Sequence, residues 1–248
     1  MKIKTDFNKN FGKWFVNDVL KAIRNYNLIA LDEKVCVAIS GGKDSITLLY
    51  ILWFINRYSH FKFDISAVHI KTYDYNTDVL HYLCEELTIP YFEDKLIQKQ
   101  TTPKTKRCSI CSHLKHGGIS KLLENHCIQK VAYGHHADDV AETFFMNIVK
   151  NRKLGSFSPK VEVTDYPVTM IRPMIYLEET QIKRIHEFVG LPILSYNCPY
   201  EKDNIRVKFK HYILKMNSLF RTKNFSKKLV ESLENIDYTN IWHKNETG

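Results

Sequence analysis

The sequence predicts a doubly wound parallel α/β sheet, and three observations carry that reading. Lys34-Val35-Cys36-Val37-Ala38-Ile39 and Ile65 to Ile70 are short, nearly continuous apolar runs, as strands buried on both faces require. Each is followed by a segment with apolar residues at helical spacing, Lys43 to Tyr58 and Asp78 to Leu87. Two Gly-containing motifs, after Ile39 and after Tyr133, fall where a strand hands over to a helix, the edge at which such sheets bind ligands.

The elements follow in order. Asp6 is placed to cap a first helix that carries Val16, Val19, Leu20 and Ile23 at helical spacing, with Phe15 alongside. The first buried strand ends at Ser40-Gly41-Gly42 and the long apolar helix Lys43 to Tyr58 begins. After the second strand, the helix from Asp78 sets Leu80, Leu83, Cys84 and Leu87 on one face. Pro90 precedes a short third strand, Tyr91-Phe92-Glu93. Lys95 to Arg107 has no period and reads as a loop. Cys108 to Glu124 reads as a helix despite Gly117-Gly118, Lys130 to Tyr133 as a fourth strand, and Asp138 to Lys150 as a helix. Val161, Val163 and Val168 with Pro159 and Pro167 suggest a hairpin-like excursion within Asn151 to Thr169. An amphipathic helix, Glu178 to Val189, is followed by a last strand, Leu191-Pro192-Ile193-Leu194, and by two basic helices, Asn204 to Leu219 and Ser226 to Leu233. The expected organisation is a helical segment over 1–30, a ligand-binding α/β domain over 31–200 and a basic helical extension over 201–248.

Composition suits that fold. The 248 residues are 44% hydrophobic and 25% charged, enough apolar material for a sizeable core. Thirty-six basic residues against 27 acidic ones leave a formal charge of +9, which favours a polyanionic partner: RNA, DNA, nucleotides or anionic lipid. No apolar stretch reaches the ~18 residues of a membrane span. Met1 to Asp6 lead into a polar amphipathic segment and not an apolar signal core, so a cytoplasmic protein with no membrane partner is expected. Six cysteines make no dense disulfide scaffold, and Cys108-Ser109-Ile110-Cys111 in a cytosolic chain suggests metal or redox chemistry.

Ser40-Gly41-Gly42-Lys43-Asp44-Ser45 leaves a buried strand and opens a helix. Gly41 and Gly42 permit backbone shapes and a close approach that side chains would block. Free N–H groups of the first helical turn and the helix dipole favour an anion there. Lys43 adds a charge, and Ser40 and Ser45 add hydroxyl donors, so the loop suits a pyrophosphate. It is neither a Walker loop nor the Gly-x-Gly-x-x-Gly of a dinucleotide fold. Asp44 would repel a polyphosphate unless a cation such as Mg²⁺ bridges the two; its alternatives are to cap the helix or to pair with Lys43.

Cys108 and Cys111 follow Lys104, Lys106 and Arg107, and both positive charge and a helix N-terminus favour the metal-binding thiolate. A pair completes no site. Cys198, His113, His116, Cys127, Cys36 and Cys84 are candidates for the remainder. Cys36 and Cys84 read as small core residues, and Cys198, in a loop before Pro199, is the best placed. Three cysteines leave one position open, and in a four-iron cluster that iron is free to bind something other than protein. A structural zinc completed by a histidine is the alternative. In Gly134-His135-His136-Ala137-Asp138-Asp139, carboxylates at a helix start are favoured in any case, and Glu142 lies one turn beyond Asp138. Two acids and two histidines at a ligand-binding edge can also hold Mg²⁺ or do acid–base work. His69, near the end of the second strand, is a nucleotide-contact candidate at the same edge.

Together the Ser-Gly-Gly-Lys-Asp-Ser loop, Cys108-x-x-Cys111, the Gly-His-His-x-Asp-Asp-x-x-Glu-Thr segment from Gly134 to Thr143, and Arg172-Pro173-Met174 resemble the tRNA 2-thiocytidine synthetases. These are sulfur-inserting enzymes of the PP-loop ATP pyrophosphatase superfamily, and the resemblance runs in order from about residue 8 to residue 210. It implies a Rossmann-like fold with ATP bound by Ser40, Gly41, Gly42, Lys43, Asp44, Ser45, His69, Gly134, His135 and Asp139. It implies catalysis by Asp44 and Asp139 through Mg²⁺ together with Cys108 and Cys111, and a [4Fe-4S] cluster on Cys108, Cys111 and Cys198. In the implied reaction ATP adenylates the C2 oxygen of a cytidine in a tRNA anticodon loop, and sulfur then displaces AMP. The implied partners are tRNA and a sulfur donor such as a cysteine desulfurase, and a homodimer is compatible. The chain departs from the pattern around Cys198, where Ser195 to Tyr200 match loosely, and it is on the short side. The related thiouridine enzymes carry paired-cysteine zinc fingers at both ends, where this chain has one pair, and lysidine synthetases share the loop but not the pair. Asp138 and Asp139 are not separated at this level. A trimmed relative of the thiouridine enzymes, and an enzyme of the same fold with a small-molecule substrate and a structural zinc, remain the alternatives.

Lys202, Arg206, Lys208, Lys210, His211 and Lys215 recur near Tyr200, Phe209 and Tyr212, and Arg221, Lys223, Lys227 and Lys228 follow. Basic and aromatic residues together suit an RNA backbone with unstacked bases.

Overall fold

The computed structural model describes residues 3–5, 12–72, 74–96, 107–163, 167–194 and 205–237, with 107–112 and 205–207 described by backbone alone. Among the described residues six strands form one sheet: β1 (Lys34–Ala38), β2 (Asp64–Lys71), β3 (Tyr91–Lys95), β4 (Lys130–Ala132), β5 (Lys160–Glu162) and β6 (Thr169–Ile171). Their order is β3-β2-β1-β4-β6-β5, parallel throughout except for the antiparallel β5–β6 pair at one edge. The helices are α1 (Lys13–Asn25), α2 (Lys43–Tyr58), α3 (Asp78–Glu86), α4 (Arg107–Asn125), α5 (Ala137–Met146), α6 (Glu179–Val189), α7 (Ile205–Leu219) and α8 (Phe225–Glu234).

The period of two along β1 explains why the sheet is covered on both faces. Val35 and Val37 enter one core with residues of α1, α2 and α6. Cys36 enters the other, with Ala38 and with Ile119 and Leu123 of α4. Helix α2 is buried at every position from Ser45 to Ile55, because it lies between the sheet and α6. Cys36 and Cys84 are core residues, and burial pushes both thiols up to about 12.

Strand order reverses between β1 and β4, which makes their carboxyl ends the switch point of the sheet. The loops at 39–42 and 133–136 both leave from that point.

Several boundaries differ from expectation for physical reasons. Helix α1 has Gly12 at its N-cap, and Asp6, expected to cap it, lies outside the described residues. Leu191 to Leu194 form no strand; Pro192 has no N–H to give a ladder, and the Leu194 N–H donates instead to the Gly41 carbonyl at 2.9 Å. The helix predicted to reach Lys150 ends at Met146 and passes into a π-helical turn, Asn147–Asn151. The excursion expected to end at Thr169 leads into β6, Thr169–Ile171, a full member of the sheet beside β4. Ser195 to Tyr200, with Cys198, lie outside the described residues, as does most of the loop expected over Lys95 to Arg107.

Candidate functional site

The phosphate loop is braced by its own side chains. Ser45 Oγ accepts from the Ser40 N–H at 3.0 Å and donates to the Gly42 carbonyl at 3.0 Å, and Ser40 Oγ lies 3.1 Å from Ser45 Oγ. Among the described residues no side chain caps the start of α2, and its first-turn N–H groups and dipole face the loop. Gly41 has φ +85, and a Cβ there would meet Leu194 at 2.4 Å. Gly42 has φ −79, a backbone that any residue adopts, so of the two glycines only Gly41 is required for its backbone shape. Gly134 meets a different constraint: a Cβ would lie 2.9 Å from the backbone of Asp44 and Ser45. The two strand-end motifs pack directly on each other at that residue.

Between them opens a cavity of about 360 Å³. Ser40, Asp44 and Ser45 come from the loop, His69 and Ile70 from β2, and Lys115, His116 and Ile119 from α4; Tyr133, Gly134, His135 and Asp139 close the far side. The predicted nucleotide contacts Ser40, Asp44, Ser45, His69, Gly134, His135 and Asp139 therefore share one cavity. Lys43 points to its side, 3.0 Å from Asp44 Oδ1 and 3.0 Å from Glu179 Oε1. Asp44 thus pairs with Lys43 in this state. Burial pulls the Lys43 ammonium down, and the two carboxylates outweigh it and hold its pKa above the usual value.

The structure separates the two adjacent aspartates. Asp138 is buried, accepting from the Glu179 N–H at 2.7 Å and from Ser226 Oγ at 2.8 Å, with His136 Nδ1 at 3.5 Å. Asp139 lines the cavity and accepts from the His136 N–H at 3.0 Å. His136 Nε2 faces Asp139 Oδ2 at 3.5 Å and Asp44 Oδ1 at 3.9 Å. Burial pulls the His136 ring down, but Asp138, Asp139 and Asp44 outweigh it and hold it at about 9. Burial pushes Asp138 up, and His136 with the Glu179 and Ser226 hydrogen bonds brings it below the usual carboxylate range.

His69 holds the end of β1. It is buried, with Nδ1 2.6 Å from the Ile39 carbonyl and Nε2 2.9 Å from the Tyr75 hydroxyl. A carbonyl only accepts, so the neutral ring carries its proton on Nδ1 and accepts from Tyr75 at Nε2. Burial, opposed by the Ile39 bond, lowers its pKa. The neutral ring is therefore favoured by folding. Its contribution is intact above the unfolded value of about 6.5 and is lost as pH falls from there through the lower folded value. Urea midpoints for His69→Asn are expected to depend less on pH between about 7 and 5 than those of the parent chain. An equal slope would show that the ring does not change protonation on folding.

Among the described residues no three His, Cys, Asp or Glu side chains are arranged to hold a metal ion. Cys108 and Cys111 stand at the start of α4, the helix that delivers Lys115 and His116 to the cavity. Of the remaining ligand candidates, His113 and Cys127 are exposed and His116 Nδ1 lies 2.8 Å from the Tyr133 hydroxyl. Glu179, Lys115 and Tyr133 were not legible as site residues, since no local pattern marks them. Among the described residues no helix is long and apolar enough to cross a membrane.

A twisted parallel sheet with an anion cradle at its switch point defines a nucleotide-binding α/β protein. The family profile of the PP-loop domain matches residues 6–203, and the chain belongs to that family. It is 38% identical over 192 residues to the tRNA-cytidine(32) 2-sulfurtransferase of Acinetobacter baumannii (strain SDF), a match over 75% of this chain and 64% of that protein. The protein of the same name from Psychrobacter sp. (strain PRwf-1) is 33% identical over 205 residues, 80% of this chain and 56% of that one. The chain thus spans less than two thirds of the length of these curated relatives. The fold matches the U34-tRNA thiolase NcsA from Methanococcus maripaludis, solved with its [4Fe-4S] cluster, at a TM-score of 0.75 and 18% identity over 98% of this chain and 84% of that one.

Proposed function

We propose that the chain is an ATP-dependent tRNA sulfurtransferase that converts a cytidine of the anticodon loop to 2-thiocytidine in the cytoplasm. The observation that carries this reading is the convergence of Asp44 and Asp139, from two motifs, on one edge of a cavity floored by the phosphate loop. Two carboxylates beside a polyphosphate cradle suit Mg²⁺, which takes one or two protein carboxylates plus phosphate oxygens. The loop N–H groups and Lys43 would hold the β and γ phosphates of ATP. The cytidine C2 oxygen attacks the α-phosphorus, and pyrophosphate leaves into the loop. Hydrosulfide, already at the oxidation level of the product sulfur, then adds to C2; AMP departs with the original oxygen and the S–H proton is lost. Release of AMP and pyrophosphate from ATP that requires added tRNA supports this reading; equal release without RNA sinks it.

The cluster of the thiolase structure and the cysteine pair of this chain support an iron–sulfur centre on Cys108, Cys111 and Cys198. Positions 108 and 111 are on the α4 face that continues through Lys115 and Ile119 into the cavity. Leu194 is hydrogen-bonded to Gly41, and chain length keeps residue 198 within ~14 Å of Leu194. A thiolate set with one position open fits a cluster that, when bound, presents sulfur for transfer. Protein purified without oxygen is expected to hold about four irons and four sulfides per chain, both lost in Cys198→Ala. Stoichiometric zinc without iron would overturn the cluster assignment.

In this reading residues 31–200 form the catalytic domain, 1–30 a helical support, and 201–248 an RNA-binding extension. Lys208, His211, Tyr212, Lys215, Arg221 and Lys223 are exposed on and beyond α7, whereas Lys210 and Lys227 are engaged by Glu179 and Asp18. Replacing Lys208, Lys215, Arg221 and Lys223 by Ala is expected to weaken tRNA binding and reduce its log–log salt slope by about 3. An unchanged slope would remove α7 from the RNA interface. A sulfur donor such as a cysteine desulfurase completes the system, and a homodimer is compatible with it.

A further inference from the structure

Glu179 opens α6, far along the chain from both strand-end motifs, yet its Oε1 accepts from two lysines. Lys43 Nζ of the phosphate loop lies at 3.0 Å and Lys210 Nζ of α7 at 2.7 Å. The Glu179 backbone is fixed in turn, since its N–H donates to Asp138 Oδ2 at 2.7 Å. The side chains of Lys43 and Glu179 are 22% and 26% exposed, so water screens their pair only in part, while Lys210 at 44% is more open. The one ammonium of the phosphate loop is thus already shared by Asp44 and Glu179.

We infer that Glu179 is a positioning residue that governs how freely Lys43 engages phosphate, and that Lys210 acts on the phosphate loop through it. The inference rests on the loop being a polyphosphate cradle. A polyphosphate at the loop competes with Glu179 for the charge of Lys43, and the carboxylate then faces added negative charge. Lys210 is the cation that then neutralises it. Removing the Glu179 charge frees Lys43 and removes the repulsion. Removing Lys210 alone leaves Glu179 to Lys43, which weakens the grip on phosphate. With Glu179 gone, Lys210 has no route to the loop.

Calorimetric titration of inorganic pyrophosphate with excess Mg²⁺ into the full chain tests this. Glu179→Gln is expected to tighten binding about 3- to 10-fold, a gain that a damaged fold does not produce. Lys210→Met is expected to weaken it by a similar factor, Lys210→Arg to restore it, and Lys210→Met in the Glu179→Gln background to change it less than about 2-fold. Weaker binding by Glu179→Gln, or the same Lys210→Met penalty in both backgrounds, would overturn the link. A parent chain that takes up no pyrophosphate would instead overturn the phosphate-loop reading beneath it.

Discussion

Asp139→Asn is expected to lower tRNA-dependent AMP release by about 10²-fold or more while the protein stays folded. The reason lies in what each oxygen does. Asp139 Oδ2 accepts the His136 N–H, and an asparagine carbonyl can accept that bond equally well. What is lost is the negative charge at the cavity edge shared with Asp44, where Mg²⁺ would sit. Thermal midpoints should agree within about 2 °C. Substantial AMP release by Asp139→Asn would move the metal to other residues.

Asp138→Ala is expected to produce the opposite pattern, a large loss of stability. Asp138 is buried and serves three partners from three parts of the chain: the first N–H of α6, the hydroxyl of Ser226 on α8, and the His136 ring. Removing it leaves the Glu179 N–H and the Ser226 hydroxyl without their acceptor and strips the Nδ1 side of the His136 ring of its carboxylate, with Asp139 and Asp44 remaining at Nε2. Breaking such a site costs about 3–5 kcal/mol and lowers the melting midpoint by about 10 °C in a chain of this size. Asp138→Asn keeps one acceptor and should fall between. A stable Asp138→Ala protein without activity would exchange the roles of the two aspartates.

Nothing in the sequence separates those two roles, and the physical reason is plain. The bonds that distinguish Asp138 reach 41 residues to Glu179 and 88 to Ser226, so nothing local marks it. Glu179 is hidden for the same reason, since Lys43 lies 136 residues away. The phosphate loop and the acids after β4 were legible because each is a contiguous run whose chemistry needs no distant partner. The central strands were legible because burial on both faces leaves an unbroken apolar run. Leu191 to Leu194 carry the same apolar signature, and Leu191 and Leu194 join the core, but the Leu194 N–H goes to the Gly41 carbonyl instead of a neighbouring strand. Thr169–Ile171 was obscured by its partner β5, which pairs antiparallel at the sheet edge.

The most direct test of sulfur transfer is to incubate a tRNA transcript, without oxygen, with the iron-loaded protein, ATP, Mg²⁺ and a sulfide source, and to digest it to nucleosides. Mass spectrometry of the digest is predicted to show a cytidine with sulfur in place of its C2 oxygen, absent when ATP is omitted and absent with Asp139→Asn. ATP turned over to AMP and pyrophosphate with every cytidine unchanged would contradict the assignment.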